Sequence, residues 1–198
     1  RQSIPTHNPK RARIGPQSSL ATAISNAAGS PPASWFIDDL MRFERKPYYV
    51  GLLSAAALHG AAHQQPQEFQ VVTDAPLRPA RAGRVRIRFF TKRGLVATPT
   101  VEVKTQTGSM RVSTPEATAV DLVRYARSAG GLGNVATVLA ELAETLDPRK
   151  LLAVARNVEP THVQRLGYLL ATAGANRVAK PLSAWIAERR PRRTLLRP

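Results

Sequence analysis

The 198-residue chain contains no cysteine. Disulfides and thiolate metal sites are therefore excluded. Acids are scarce, with 13 Asp and Glu against 29 Lys and Arg, a formal charge of +16. No run approaches the roughly 20 apolar residues that a membrane-spanning helix needs. No basic-then-apolar stretch of the signal-peptide kind opens the chain. These absences lead us to expect a cytoplasmic protein. The first residue is Arg1, not Met, which suggests a fragment or a processed start.

What the chain has in excess is positive charge. A surplus of this size points to a polyanionic partner, because neutralising phosphates releases their counterions. Arg far outnumbers Lys, but a GC-rich coding bias would produce that, so only the sign is used. Length and apolar content suit one domain of ordinary size, or a domain with an arm.

Residues 1–33 read as a basic arm. Pro5, Pro9, Pro16, Pro31 and Pro32 punctuate it, and no acid appears before Asp38. Ser34 is placed to cap a helix through Trp35, Phe36, Leu40 and Phe43. Leu52 to Leu58 favours a second helix, with Gly60 suited to its end. A strand-rich stretch follows. Phe69 to Thr73 is apolar and β-branched, and Thr98–Thr105 with Met110–Ser113 reads as a hairpin around Thr107-Gly108. Arg84-Val85-Arg86-Ile87-Arg88-Phe89 alternates strictly, which predicts a strand with arginines outside and apolar residues inside.

The last third reads as helical. Thr114 caps, Pro115 takes the first helical position and Glu116 meets the positive helix end. Gly130-Gly131 breaks the chain before a stripe of Val135, Val138, Leu139 and Leu142. Asp147-Pro148 and Thr161 begin further helices, and Gly174 closes the second. A short helix through Leu182, Trp185 and Ile186 precedes an Arg/Pro tail. The fold class expected is α+β, a small mixed sheet flanked by helices and followed by a helical subdomain. The expected core holds Phe36, Leu40, Val50, Leu53, Leu58, Val71, Ile87, Phe89, Leu122, Leu139, Leu142, Leu166 and Leu170.

Candidate chemistry is thin. Asp38 and Asp39 are adjacent, and neighbours on a helix do not share a face, so they read as exposed first-turn acids. His59 and His63 have the spacing of two ligands on one helical face, but Gly60 intervenes and no third ligand is near in sequence. No metal and no cofactor is expected. Ser54 lacks the flanking glycines of a nucleophile elbow. Gly130-Gly131-Leu132-Gly133 lacks the Lys of a phosphate loop and reads as an interhelical turn. Two basic constellations remain. The first is Arg78, Arg81, Arg84, Arg86, Arg88, Lys92 and Arg93, with no acid between Asp74 and Glu102. The second is the tail, Arg189, Arg190, Arg192, Arg193 and Arg197. Neither has the interleaved aromatics that stack bases, so phosphate contact is expected and sequence-specific reading of single strands is not.

Pro47-Tyr48-Tyr49-Val50-Gly51-Leu52-Leu53-Ser54-Ala55-Ala56-Ala57-Leu58-His59-Gly60 resembles a segment of the AbiEi antitoxin family. Gln67 to Thr73 resembles that family's next strand, and Ser113 to Leu122 its strand-to-helix junction. Gly130-Gly131-Leu132 and the Leu-rich helix after it also fit. The resemblance spans about Pro31 to Pro198 and is carried by the order and spacing of these pieces. It implies an antitoxin of a bacterial type IV toxin–antitoxin system, countering a nucleotidyltransferase-like toxin and acting as a transcriptional autoregulator on promoter DNA. It also implies an N-terminal winged helix, which residues 1–33 do not match. That domain is expected upstream of Arg1, or absent from this member.

The domains implied are the arm (1–33), an antitoxin domain (34–188, its sheet part to 113 and its helical part from 114) and the tail (189–198). The function expected is non-catalytic. The alternatives are a general nucleic-acid-binding accessory protein and a nuclease. The scattered acids weigh against the nuclease, since two-metal chemistry needs converging carboxylates.

Overall fold

The computed structural model describes residues 31–61 and 66–189. Most of the basic arm, His63 and the tail beyond Arg189 lie outside them. Strands are β1 (Tyr48–Val50), β2 (Glu68–Thr73), β3 (Ala80–Ala82), β4 (Val85–Thr91), β5 (Thr100–Lys104) and β6 (Ser109–Ser113). They form one mixed sheet in the order β3-β4-β2-β1-β6-β5. Helices are α1 (Ile37–Phe43), α2 (Leu52–Leu58), α3 (Pro115–Arg124), α4 (Gly131–Leu142), α5 (Pro148–Ala155), α6 (Pro160–Thr172) and α7 (Asn176–Arg189). The α+β class, with a flanked mixed sheet followed by a helical region, is therefore observed.

Three residues make the centre of the sheet. β1 pairs antiparallel with β2, Tyr49 opposite Val72, and parallel with β6, Val50 opposite Val112. Strand alternation sends neighbouring β1 side chains to opposite faces. Tyr48 and Val50 join Ile37, Met41, Val71, Ile87, Met110 and Val112 beneath α1. Tyr49 faces the other way and joins Val72, Phe90 and the apolar stripes of the later helices. The sheet is thus the partition between two cores, and the larger core lies on the helical side.

The junction from β1 to α2 is tight. A Cβ on Gly51 would lie 2.8 Å from Val72 Cγ2. Leu52 follows with φ at 51°, a left-handed conformation unusual for a branched residue, and its side chain is fully buried. Ser54 then accepts from the backbone N–H of Gln70 at 2.9 Å, fastening α2 to β2. It is a packed serine. Gly60, with φ at 80°, ends this helical segment as expected.

Several expectations need correction. Leu58, expected in the core, is 45% exposed because it falls on the outer face of α2. Ser34 caps nothing: a 3-10 turn covers Ala33–Trp35, and α1 begins after it at Ile37. Asp38 is more than an exposed acid, since it accepts from the Tyr48 hydroxyl at 2.9 Å and pairs with Arg42 at 2.6 Å. The last helix is longer than expected. It runs from Asn176 through Pro181, which sits inside it, and its buried stripe is Val178, Ala179, Leu182 and Trp185.

At the start of α3 the expected cap is present. Thr114 Oγ1 accepts from Ala117 N at 3.3 Å, with Pro115 in the first turn. Glu116 is buried, and its carboxylate accepts from Asp147 N at 3.1 Å. Asp147 in turn caps α5, accepting from Arg149 N at 2.8 Å and Lys150 N at 3.0 Å. Those two donors hold its carboxyl below the ordinary range. Two helix starts are thereby fixed to each other.

Candidate nucleic-acid interface

β4 carries the basic constellation, and its geometry explains how one strand face can be both surface and core. Val85, Ile87 and Phe89 point to the α1 side, and Ile87 is 1% exposed. Arg86 and Arg88 point to the helical side and are exposed, whereas Phe90 and Lys92, next on that same face, are buried. The helical layer covers only the end of the strand. Arg88 marks the margin, its guanidinium carbon 5.3 Å from the Phe90 ring centroid. Phe90 packs on Tyr125 with centroids 5.3 Å apart.

The seven basic residues do not form one patch. Arg84 is exposed in the turn between β3 and β4, outside the strand in which it was expected. Arg81 takes its place, since it lies opposite Arg86 in the β3–β4 register. Its Nε donates to Gly83 O at 2.9 Å. Glu68 lies opposite Arg86 on the other side and approaches Arg88 at 3.6 Å. Arg81, Arg86 and Arg88 thus share an open face with one carboxylate. That exposed pair adds little stability, so the arginines remain available to solvent anions. Arg78 is exposed in the coil after β2.

Lys92 behaves differently from the rest. Its ammonium donates to Asp121 Oδ1 at 2.8 Å and to the Tyr49 hydroxyl at 3.1 Å. Tyr49 itself donates to Asp121 Oδ2 at 2.6 Å. Burial, reinforced by the Asp121 charge, pushes the Tyr49 phenol well above its usual range, so it stays a donor. This buried triangle joins β1, the end of β4 and α3. Sequence reading missed Asp121, although one signal was present: a lone acid within the apolar run Ala119 to Val123 must find a partner if the helix packs.

Arg93 follows Lys92 but is exposed, and both line a cleft of about 440 Å³ beside Arg124 and Lys150. His59, half of the suspected ligand pair, bonds the Ser113 carbonyl through Nε2 at 2.7 Å. It therefore serves the α2–β6 contact. His162 on α6 has a buried Nδ1 without a hydrogen-bond partner. Among the described residues no helix is long and apolar enough to cross a membrane.

Comparison with known proteins places the fold. The chain resembles the crystal structure of the Rv2827c protein from Mycobacterium tuberculosis, with a TM-score of 0.58 and 16% sequence identity over 86% of this chain. The chain spans 62% of that protein's length. A weaker likeness is to the crystal structure of an antigenic nucleotidyltransferase-like protein from Paracoccidioides brasiliensis. Its TM-score is 0.43, with 11% identity over 83% of this chain and 92% of the other. No curated protein matches by sequence. The model of the AbiEi antitoxin C-terminal domain matches residues 49–172, which include the central strand, the strand face of Arg81, Arg86 and Arg88, and the Lys92–Asp121 pair, so this chain belongs to the AbiEi antitoxin C-terminal domain family.

Proposed function

We propose that this chain is the partner-facing region of an antitoxin, countering a nucleotidyltransferase-like toxin without catalysis and contributing to autoregulation through DNA contact. The observation that carries the reading is the family match over residues 49–172. The open face of Arg81, Arg86 and Arg88 supports the nucleic-acid part, because phosphate contact requires accessible cations with few competing carboxylates. The non-catalytic part is supported by three acids that are spent on structure. Asp121 holds Lys92, Glu116 holds the start of α5 and Asp38 holds Tyr48. Among the described residues no three His, Asp or Glu side chains gather as a metal site would require. The sheet part and the helical part, divided near residue 114, act as one unit because the Tyr49–Asp121–Lys92 triangle crosses between them.

The test is co-expression. The chain is produced together with a toxin of the nucleotidyltransferase-like class, and colony growth is scored. Restored growth supports the antitoxin reading. Unrelieved toxicity, with the chain folded and abundant, contradicts it. Salt-sensitive binding to unrelated DNA without rescue would favour an accessory nucleic-acid-binding protein instead.

A further inference from the structure

We propose that the cleft between the Lys92–Pro99 segment and helices α3 and α5 binds a phosphorylated small molecule of the mononucleotide class. The cleft holds about 440 Å³, within the range of sites that enclose small ligands. Lys92, Arg93, Arg124 and Lys150 line it, with Glu116 as the acid among the lining residues. Lys92 is neutralised by Asp121, which leaves three cations facing one carboxylate. That carboxylate already accepts from Asp147 N. Arg93 and Lys150 are exposed. A concave, partly apolar wall strengthens the field of such charges relative to an open surface.

The wall of the cleft is also partly apolar, through Pro99, Ala153, Val154 and Val158. A phosphate alone would gain nothing from that wall, whereas a nucleoside would cover it. The site is preorganised at both ends. Lys92 is pinned by Asp121 and Tyr49, which fixes where Arg93 emerges. Asp147 receives the N–H groups of Arg149 and Lys150, which fixes the start of α5. None of Arg81, Arg86 or Arg88 lines this cleft, so it is distinct from the strand face.

The experiment is titration calorimetry of the whole chain with AMP, ATP and inorganic phosphate at constant ionic strength. AMP or ATP is expected to bind more tightly than phosphate. Arg124→Gln and Lys150→Gln should each weaken nucleotide binding by about tenfold or more, the worth of one charged hydrogen bond. Ala153→Phe should weaken it by filling the cleft with every charge retained. Lys180→Gln, at an exposed cation of α7 outside the cleft, should leave it unchanged. Acylation of Lys150 in the unaltered chain should be slowed by AMP, a readout that needs no variant. The proposal is overturned by an absence of AMP and ATP binding, by phosphate binding as tightly as AMP, or by unchanged affinity in the cleft variants.

Discussion

Lys92 and Asp121 form a buried ion pair at 2.8 Å, with side-chain exposures of 11% and 0%, joining the end of a sheet strand to the middle of a helix. Such a pair gains little over an apolar replacement, because both charges leave water. Breaking it from one side strands the other charge. Asp121→Asn should therefore lower unfolding free energy by about 3 to 5 kcal/mol, while Lys92→Met and Asp121→Leu combined with Tyr49→Phe, which removes the hydroxyl they would strand, should recover most of the loss. Denaturant titration of the three chains measures this. A single variant as stable as the parent would show that the pair is not what joins sheet and helix.

Thr114 presents a smaller and separable test. Its hydroxyl accepts from Ala117 N at 3.3 Å and caps α3. Thr114→Ala should cost about 1 kcal/mol, read as a lower thermal midpoint, and Thr114→Ser should restore it. Loss of growth rescue with unchanged stability would mark Thr114 as part of a partner surface instead.

Gly51 tests the close approach of β1 and β2. A methyl group there would lie 2.8 Å from Val72 Cγ2, which is itself fully buried. Gly51→Ala should destabilise by roughly 1 to 3 kcal/mol through overpacking. Combining it with Val72→Ala should relieve the clash but leave a cavity cost. Chemical denaturation of the single and double variants distinguishes a clash from a cavity. Full stability in Gly51→Ala alone would contradict the packing described.

His162 gives the protein a pH dependence of known sign. Burial lowers its pKa, nearby Arg124 and Arg165 lower it further, and Glu159 at 3.8 Å opposes them. An unfolded imidazole takes its proton near pH 6.5, before the folded one does. Stability is therefore full above that pH and declines as pH falls from there toward the folded value. The thermal midpoint should drop between about pH 7 and pH 5, and His162→Gln should flatten the drop. A profile identical in parent and variant would show that His162 does not titrate as its burial requires.

Which of these features could be read from residues alone follows from the range of the interactions. The helical third was legible because caps and stripes are local: Thr114-Pro115-Glu116, Gly130-Gly131 and Asp147-Pro148 each start or break a helix by themselves. The hairpin of β5 and β6 was legible for the same reason. β1 was not, because three residues carry no periodicity, and only pairing with β2 and β6 makes Tyr48–Val50 the centre of the sheet. Alternation located Arg86 and Arg88 outside and Ile87 inside. It could not show that the helical layer begins at Phe90, so Lys92 was grouped with surface cations. The first turn and a half of α7 was not legible, because the helix continues through Pro181, which lies inside it and forgoes one i→i−4 hydrogen bond that packing of the buried stripe must offset.

The proposal that this AbiEi-family domain presents Arg81, Arg86 and Arg88 to a polyanion is tested most directly by a salt titration of nucleic-acid affinity. The unaltered chain is compared with the variant carrying Arg81→Gln, Arg86→Gln and Arg88→Gln. These sites are exposed, so folding should change little. If the face contacts phosphates, the variant should bind more weakly on every sequence tried, and its log–log salt slope should fall by about one for each lost contact. Equal affinities and equal slopes would contradict the account, and would identify the strand arginines as solvated charges with no partner.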